Sequence, residues 1–142
     1  MTIEILHKFE LDEQVQNQIC ELYKQLNANI EQRPLHQILQ EDNHVIIAAC
    51  REENAIVGIA LLATYKVISG HRGMVEDVVV DSAHRGKGIG RKLMEKLLEE
   101  AKHRNLDEVL LFSGHHRTAA INLYKSLGFN LRESGLYNLK LK

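Results

Sequence analysis

The chain has 142 residues, of which 44% are hydrophobic and 26% charged, and a formal net charge of -1. These values fit one globular domain over residues 1–142 and exclude a disordered polyelectrolyte or a protein with a strong global field for nucleic acid or anionic membrane. It has no run of about 18 apolar residues, Met1-Thr2-Ile3-Glu4 lacks the basic-then-apolar character of a secretory leader, and Cys20 and Cys50 are too few for a disulfide scaffold, so the expectation is a cytoplasmic protein with reduced thiols.

In chain order, Leu11, Val15, Ile19, Leu22 and Leu26 recur at helical spacing behind Asp12, which predicts a capped helix over about residues 12 to 27. The single proline, Pro34, opens a shorter helix to Gln40. His44 to Cys50 and Ala55 to Val67 are β-rich runs separated by the polar Arg51-Glu52-Glu53-Asn54, a hairpin pattern, and Gly73 to Asp81 adds a third strand. Ile89, Leu93, Leu97 and Ala101 form the apolar stripe of the next helix, with Met94 and Leu98 beside it. Asp107 to Ser113 reads as a strand, and Thr118 to Leu127 as a helix stopped by Gly128. Phe129 to Leu141 reads as a final strand or hairpin around Gly135. A β-meander followed by alternating helices and strands predicts an α/β fold, with a mixed sheet covered by helices on both faces.

The segment Arg85-Gly86-Lys87-Gly88-Ile89-Gly90 lies between the strand Val78-Val79-Val80 and that amphipathic helix. Glycines permit the positive φ values of a tight cradle, and the helix start adds unpaired amides and roughly half a positive charge to the cations Arg85, Lys87 and Arg91. The segment therefore suits a pyrophosphate. A Walker loop is excluded because Gly88 follows Lys87 where a hydroxyl is needed, and the dinucleotide fingerprint because Arg91 stands at its third glycine.

Arg85, Gly88 and Gly90 match the acetyl-CoA loop [QR]-x-x-G-x-[GA] of the GCN5-related N-acetyltransferase (GNAT) superfamily. Ala120 to Phe129 match its late A-x-x-x-Y-x-x-x-G-F segment. The chain thus resembles that superfamily, specifically over about residues 73 to 130. The resemblance implies a three-layer α/β fold with a mostly antiparallel central sheet and acetyl transfer from acetyl-CoA to a primary amine in a ternary complex. Glu76 to Val80 is similar to members acting on small amines such as glucosamine-phosphate acetyltransferases, and Ser113 to Tyr124 to the aminoalkylphosphonate acetyltransferases.

Carried onto this chain, the resemblance makes Tyr124 the group that protonates the leaving thiolate. Val78, Val79 and Val80 become the strand whose backbone meets pantetheine. Arg85, Gly86, Lys87, Gly88, Ile89, Gly90 and Arg91 become the pyrophosphate site, and Arg117 a cofactor contact, helix cap or acceptor ligand. Glu76 is the first candidate for the base that deprotonates the amine, because strand alternation puts it on one side with Met74, Val78 and Val80; a bulge would favour Asp77 instead. Acceptor contacts are expected from Leu26 to Leu35 and Lys66 to Arg72. His115-His116 does not have metal-ligand spacing, so no metal is expected. The expected partner is a small-molecule amine, with neither nucleic acid nor membrane, and the family pattern is compatible with a homodimer. Met74, where some members place their base, and Arg117, where many have asparagine, keep open a non-catalytic acetyl-CoA sensor of the same fold; a protein or peptide N-acetyltransferase is a separate alternative.

Overall fold

The computed structural model describes residues 1–142 and divides into two compact units, Met1–Phe112 and Ser113–Lys142. The first holds a five-stranded sheet of β1 (Thr2–Ile5), β2 (Val45–Glu52), β3 (Ala55–Val67), β4 (Gly70–Val80) and β5 (Glu108–Leu110), in that spatial order. β1 to β4 are antiparallel neighbours, and β5 alone runs parallel to β4. The helices of this unit are α1 (Glu13–Lys24), the single turn α2 (Leu35–Ile38) and α3 (Ile89–His103). The sheet is mixed and mostly antiparallel, as expected.

Alternation along the central strands sends side chains to two faces, and each face is covered by one long helix. Ile47, Ala49, Ile59 and Val79 are buried in one cluster with Val15, Ile19 and Leu22 of α1. Asp12 caps that helix, its carboxylate accepting from the Val15 amide at 2.8 Å. On the other face, Gly58 lets α3 approach closely: a Cβ there would lie 3.0 Å from Ile89 Cγ2 and 3.1 Å from Leu93 Cδ1. Ile89, Leu93, Met94, Leu97 and Ala101 are all buried, so the predicted stripe is the one that packs. Each of the large ones contributes about 1.5–3 kcal/mol by leaving water.

Two expectations need correction. β1 was not anticipated; its four residues pair with Arg51 to Ala48 of β2, the edge that makes them a strand. The expected final strand or hairpin over 129–141 does not form. Leu131, Leu136, Tyr137, Leu139 and Leu141 are exposed, although Tyr137 to Leu141 alternates as a strand would. The second unit has α4 (Thr118–Ser126) as its only regular element, so the segment finds no strand there to satisfy its backbone groups. Gly128 does end α4 as predicted: its φ is 100°, its amide donates to the Lys125 carbonyl, and the Phe129 amide donates to that of Tyr124.

Candidate active site

The site is built on the C-terminal half of β4. Ile59 pairs with Val79 but Leu61 with Glu76, so two residues, Asp77 and Val78, face the single Ala60. This is a β-bulge, and Asp77 occupies it at φ 51°, a conformation aspartate tolerates better than most residues. The bulge reverses part of the expected alternation. Glu76 lies opposite Leu61, which packs on the α1 face, whereas Val80 lies opposite Gly58 and near Gly90, toward α3. Glu76 and Val80 therefore do not share a side, and Asp77 is brought to α1, where the Tyr23 hydroxyl donates to its Oδ1 at 3.3 Å.

Both carboxyl groups are held above their ordinary range. Loss of hydration is the main cause at Asp77, partly offset by the Tyr23 hydrogen bond. At Glu76 partial desolvation comes first and the neighbouring Asp77 charge second. Tyr23 is in turn pushed up, by burial and then by the Asp77 charge. Two adjacent acids with raised affinity for a proton are suited to receive one from a cationic amine.

The β4–β5 ladder ends at Met74 and Leu110, so from Val75 to Val80 β4 has a strand partner on its β3 side only. The outer edge of Val78 to Val80 is the place where an extended ligand could pair as a strand does. Val79 is buried in the core, so only its backbone is available there.

The chain then turns through Ser82–His84 into the glycine loop. Gly86 has φ 82° and Gly88 φ 77°, and a Cβ at either would meet nothing within 4 Å. Their glycine identity is thus a matter of backbone conformation rather than of space. The amides of Gly86 and Gly88 donate to no backbone carbonyl of the chain. Gly88 starts α3, whose first-turn amides have no partner within the helix. Gly90 has ordinary helical geometry. Amides at a helix start beside left-handed glycines have the chemistry to accept an anion such as a pyrophosphate.

The cations around it are partly engaged. Arg85 Nε donates to the Val80 carbonyl at 3.2 Å, fastening the loop to the strand end, and Arg91 pairs with Glu95 at 2.9 Å. Lys87 Nζ lies 3.8 Å from Glu52, and the Ile89 side chain is buried in the core, leaving only its amide to the loop. In the second unit, half-buried Tyr124 meets Phe129 edge-on at 6.2 Å, and Arg117 precedes α4 without a side-chain capping bond.

The expected acceptor residues His71 and Arg72 are engaged in strand pairing. The His71 backbone exchanges hydrogen bonds with Asp107, and Arg72 pairs with Glu108 at 2.9 Å. A surface hollow of about 640 Å³ lined by His44, Lys66, His71 and Arg104 lies at the other end of β4 from the glycine loop. No three His, Cys, Asp or Glu side chains gather as metal ligands, and no helix is long and apolar enough to cross a membrane.

Fold and site together define an α/β domain in which a glycine loop joins the end of β4 to the start of α3, with β4 unpaired on its β5 side beyond Met74. The chain belongs to the acetyltransferase (GNAT) family, whose model matches residues 6–129. Among curated relatives it is 38% identical over 82 residues to the L-methionine sulfoximine/L-methionine sulfone acetyltransferase of Salmonella typhimurium, a match covering 56% of this chain and 48% of that one. It is 36% identical over 80 residues to the L-amino acid N-acyltransferase MnaT of Escherichia coli, covering 55% and 46%. The aligned stretch thus spans about half the length of these relatives. Glucosamine-6-phosphate N-acetyltransferase from Arabidopsis thaliana shares the fold at TM-score 0.77 and 22% identity, covering 98% of this chain and 99% of that one.

Proposed function

We propose that this protein is an acetyl-CoA-dependent N-acetyltransferase acting on a small primary amine by direct attack in a ternary complex. The carrying observation is the pair of left-handed glycines, Gly86 and Gly88, that turn a loop with free amides onto the start of α3 beside the open edge of β4. Gly86, Lys87, Gly88, Ile89 and Gly90 would bind the pyrophosphate through backbone N–H groups, with Arg85, Lys87 and Arg91 adding charge. Val78, Val79 and Val80 would pair with the extended pantetheine.

A primary amine with pKa near 10 is about 0.1% neutral at pH 7, so removal of its proton is part of the barrier. Glu76 or Asp77 accepts that proton. The nitrogen lone pair then attacks the thioester carbonyl, whose oxygen takes the negative charge against strand N–H groups. The C–S bond breaks as the carbonyl re-forms, Tyr124 gives its proton to the departing thiolate, and the second proton leaves the nitrogen and, through solvent, restores the Tyr124 phenol, so that the neutral amide and the CoA thiol remain. Arg117 is assigned to the donor or to an anionic acceptor, since it makes no capping bond.

As acceptor class we propose an amino acid or similar small polar amine, a reading supported by the activities for which the two relatives are named. The test is thiol release from acetyl-CoA across a panel of L-amino acids, amino sugars and short peptides, with the acetylated product identified by mass. Turnover of an amino acid is the expected result. Acetylation confined to peptides would remove the small-amine assignment, and failure of every amine together with no CoA binding would remove the acetyltransferase reading itself.

A further inference from the structure

The glycine loop is held at its root by a residue far away in sequence. Gln25, at the end of α1, donates from Nε2 to Asp81 Oδ1 at 2.8 Å and accepts at Oε1 from the Ser82 amide at 2.9 Å. Asp81 is the residue before the Ser82–His84 turn, and its carbonyl accepts from the His84 amide, so the Ser82 N–H, the first of the turn, has no partner within it and needs a cap from outside. Gln25 supplies that cap across 57 residues. The other oxygen of Asp81 takes His84 Nδ1 at 2.7 Å, and His84 Nε2 reaches Glu52 of β2 at 3.0 Å. Glu52 also faces Lys87 inside the loop. The turn leading into the glycines is therefore tied to α1 on one side and to the end of β2 on the other.

We propose that Gln25 is a positioning residue for the donor-binding loop: its two-pronged amide contact fixes the Asp81–His84 turn and thereby aims the Gly86–Gly88 amides. This rests on the reading of that loop as the acetyl-CoA site. Gln25 is exposed and belongs to no core cluster, so its contacts are dispensable for burial and serve the geometry of the turn. The polarity of the contact is specific. Asp81 can only accept there, so an amide is the side chain that can donate to it and accept from Ser82 at once. Its hydrogen bond is the foremost of the contacts that hold the Asp81 carboxyl below its ordinary range.

The test exploits that polarity. Gln25→Glu keeps the acceptor for Ser82 but sets a carboxylate against Asp81, whereas Gln25→Glu combined with Asp81→Asn restores a donor–acceptor pair in the reverse sense and leaves an oxygen for His84. CoA binding is titrated calorimetrically for the wild type, Gln25→Glu and the double variant, alongside KM for acetyl-CoA, KM for the amine and thermal unfolding. The expected result is a loss of CoA affinity of about tenfold in Gln25→Glu, the worth of a hydrogen bond to a charged group, with recovery to within about threefold in the double variant. KM for acetyl-CoA should follow the same pattern while KM for the amine stays. CoA affinity in Gln25→Glu equal to the wild type overturns the proposal, as does a loss that the double variant does not recover. A wild type that binds no CoA overturns the reading of the loop, and this inference with it.

Discussion

Replacing Gly88 and Gly90 separately by alanine tests whether the loop works through its backbone. Gly88 has φ 77° with no atom within 4 Å of an added Cβ, so alanine there meets no clash and is penalised only by the left-handed conformation. That penalty is about 1–2 kcal/mol. It has two ways to appear. If the free protein keeps the loop conformation, stability falls, by about 2–4 °C in melting temperature for each kcal/mol in a chain of this size. If the loop relaxes instead, CoA binding must restore the conformation, and affinity falls by about five- to thirtyfold. The two losses trade against each other and should sum to the same free energy. Gly90 has ordinary helical φ and its nearest neighbour, Val80 Cγ2, would be 4.0 Å from a new Cβ. Gly90→Ala should therefore stabilise α3 by about 0.5–1 kcal/mol and leave CoA binding intact. Differential scanning calorimetry with a CoA titration reads both effects. Equal damage from the two substitutions, or no effect of Gly88→Ala on either quantity, would refute the assignment of the loop.

The proton acceptors give a pH signature. Glu76 and Asp77 must be ionised to act and both sit above the ordinary carboxylate range, so kcat/KM should fall on acidification at a pH above about 4. Tyr23→Phe removes the hydrogen bond that lowers Asp77, so this acidic limb should move to higher pH; a limb that stays in place excludes Asp77 as the titrating group. Asp77→Asn tolerates the same φ and should lower kcat by about 10²–10⁴ if Asp77 is the base, with Glu76→Gln doing so instead if Glu76 is. The raised Asp77 pKa also means that the native state binds its proton more tightly than the unfolded chain. Its ionisation therefore removes stability as pH rises from the unfolded toward the folded pKa. Asp77→Asn should accordingly raise the melting temperature at pH 7 more than at pH 4. Tyr124→Phe should fold normally and lose most turnover without altering CoA affinity, measured by single-turnover kinetics and calorimetry; an unchanged kcat removes Tyr124 from the chemistry. Leu97, fully buried on α3, should cost about 2–5 kcal/mol as Leu97→Ala in urea unfolding.

Local sequence determined the elements whose causes are local. The 3.6-residue stripe of Ile89, Leu93, Leu97 and Ala101 makes α3 amphipathic wherever it packs, Asp12 caps α1 with its own side chain, and Gly128 ends α4 at positive φ. The glycine loop was legible for the same reason, since the conformations of Gly86 and Gly88 are properties of single residues. The strand pattern of Tyr137 to Leu141 was equally plain, yet it formed no strand, because a ladder needs a partner that periodicity cannot supply. Thr2–Ile5 is the converse, a weak local signal made into a strand by the edge of β2.

Tertiary structure alone decided the details on which the proposed chemistry turns. The bulge at Asp77 arises from the register of β4 on β3, and it separates Glu76 from the face of Val80 and gives Asp77 to Tyr23, 54 positions away. Gln25, His84 and Glu52 bear no motif; each matters only because folding brings it against Asp81 or Lys87. The physical reason is one of range. Backbone conformation and side-chain period are fixed within a few residues, whereas register, desolvation and hydrogen-bond partners are set by the surface that another segment presents.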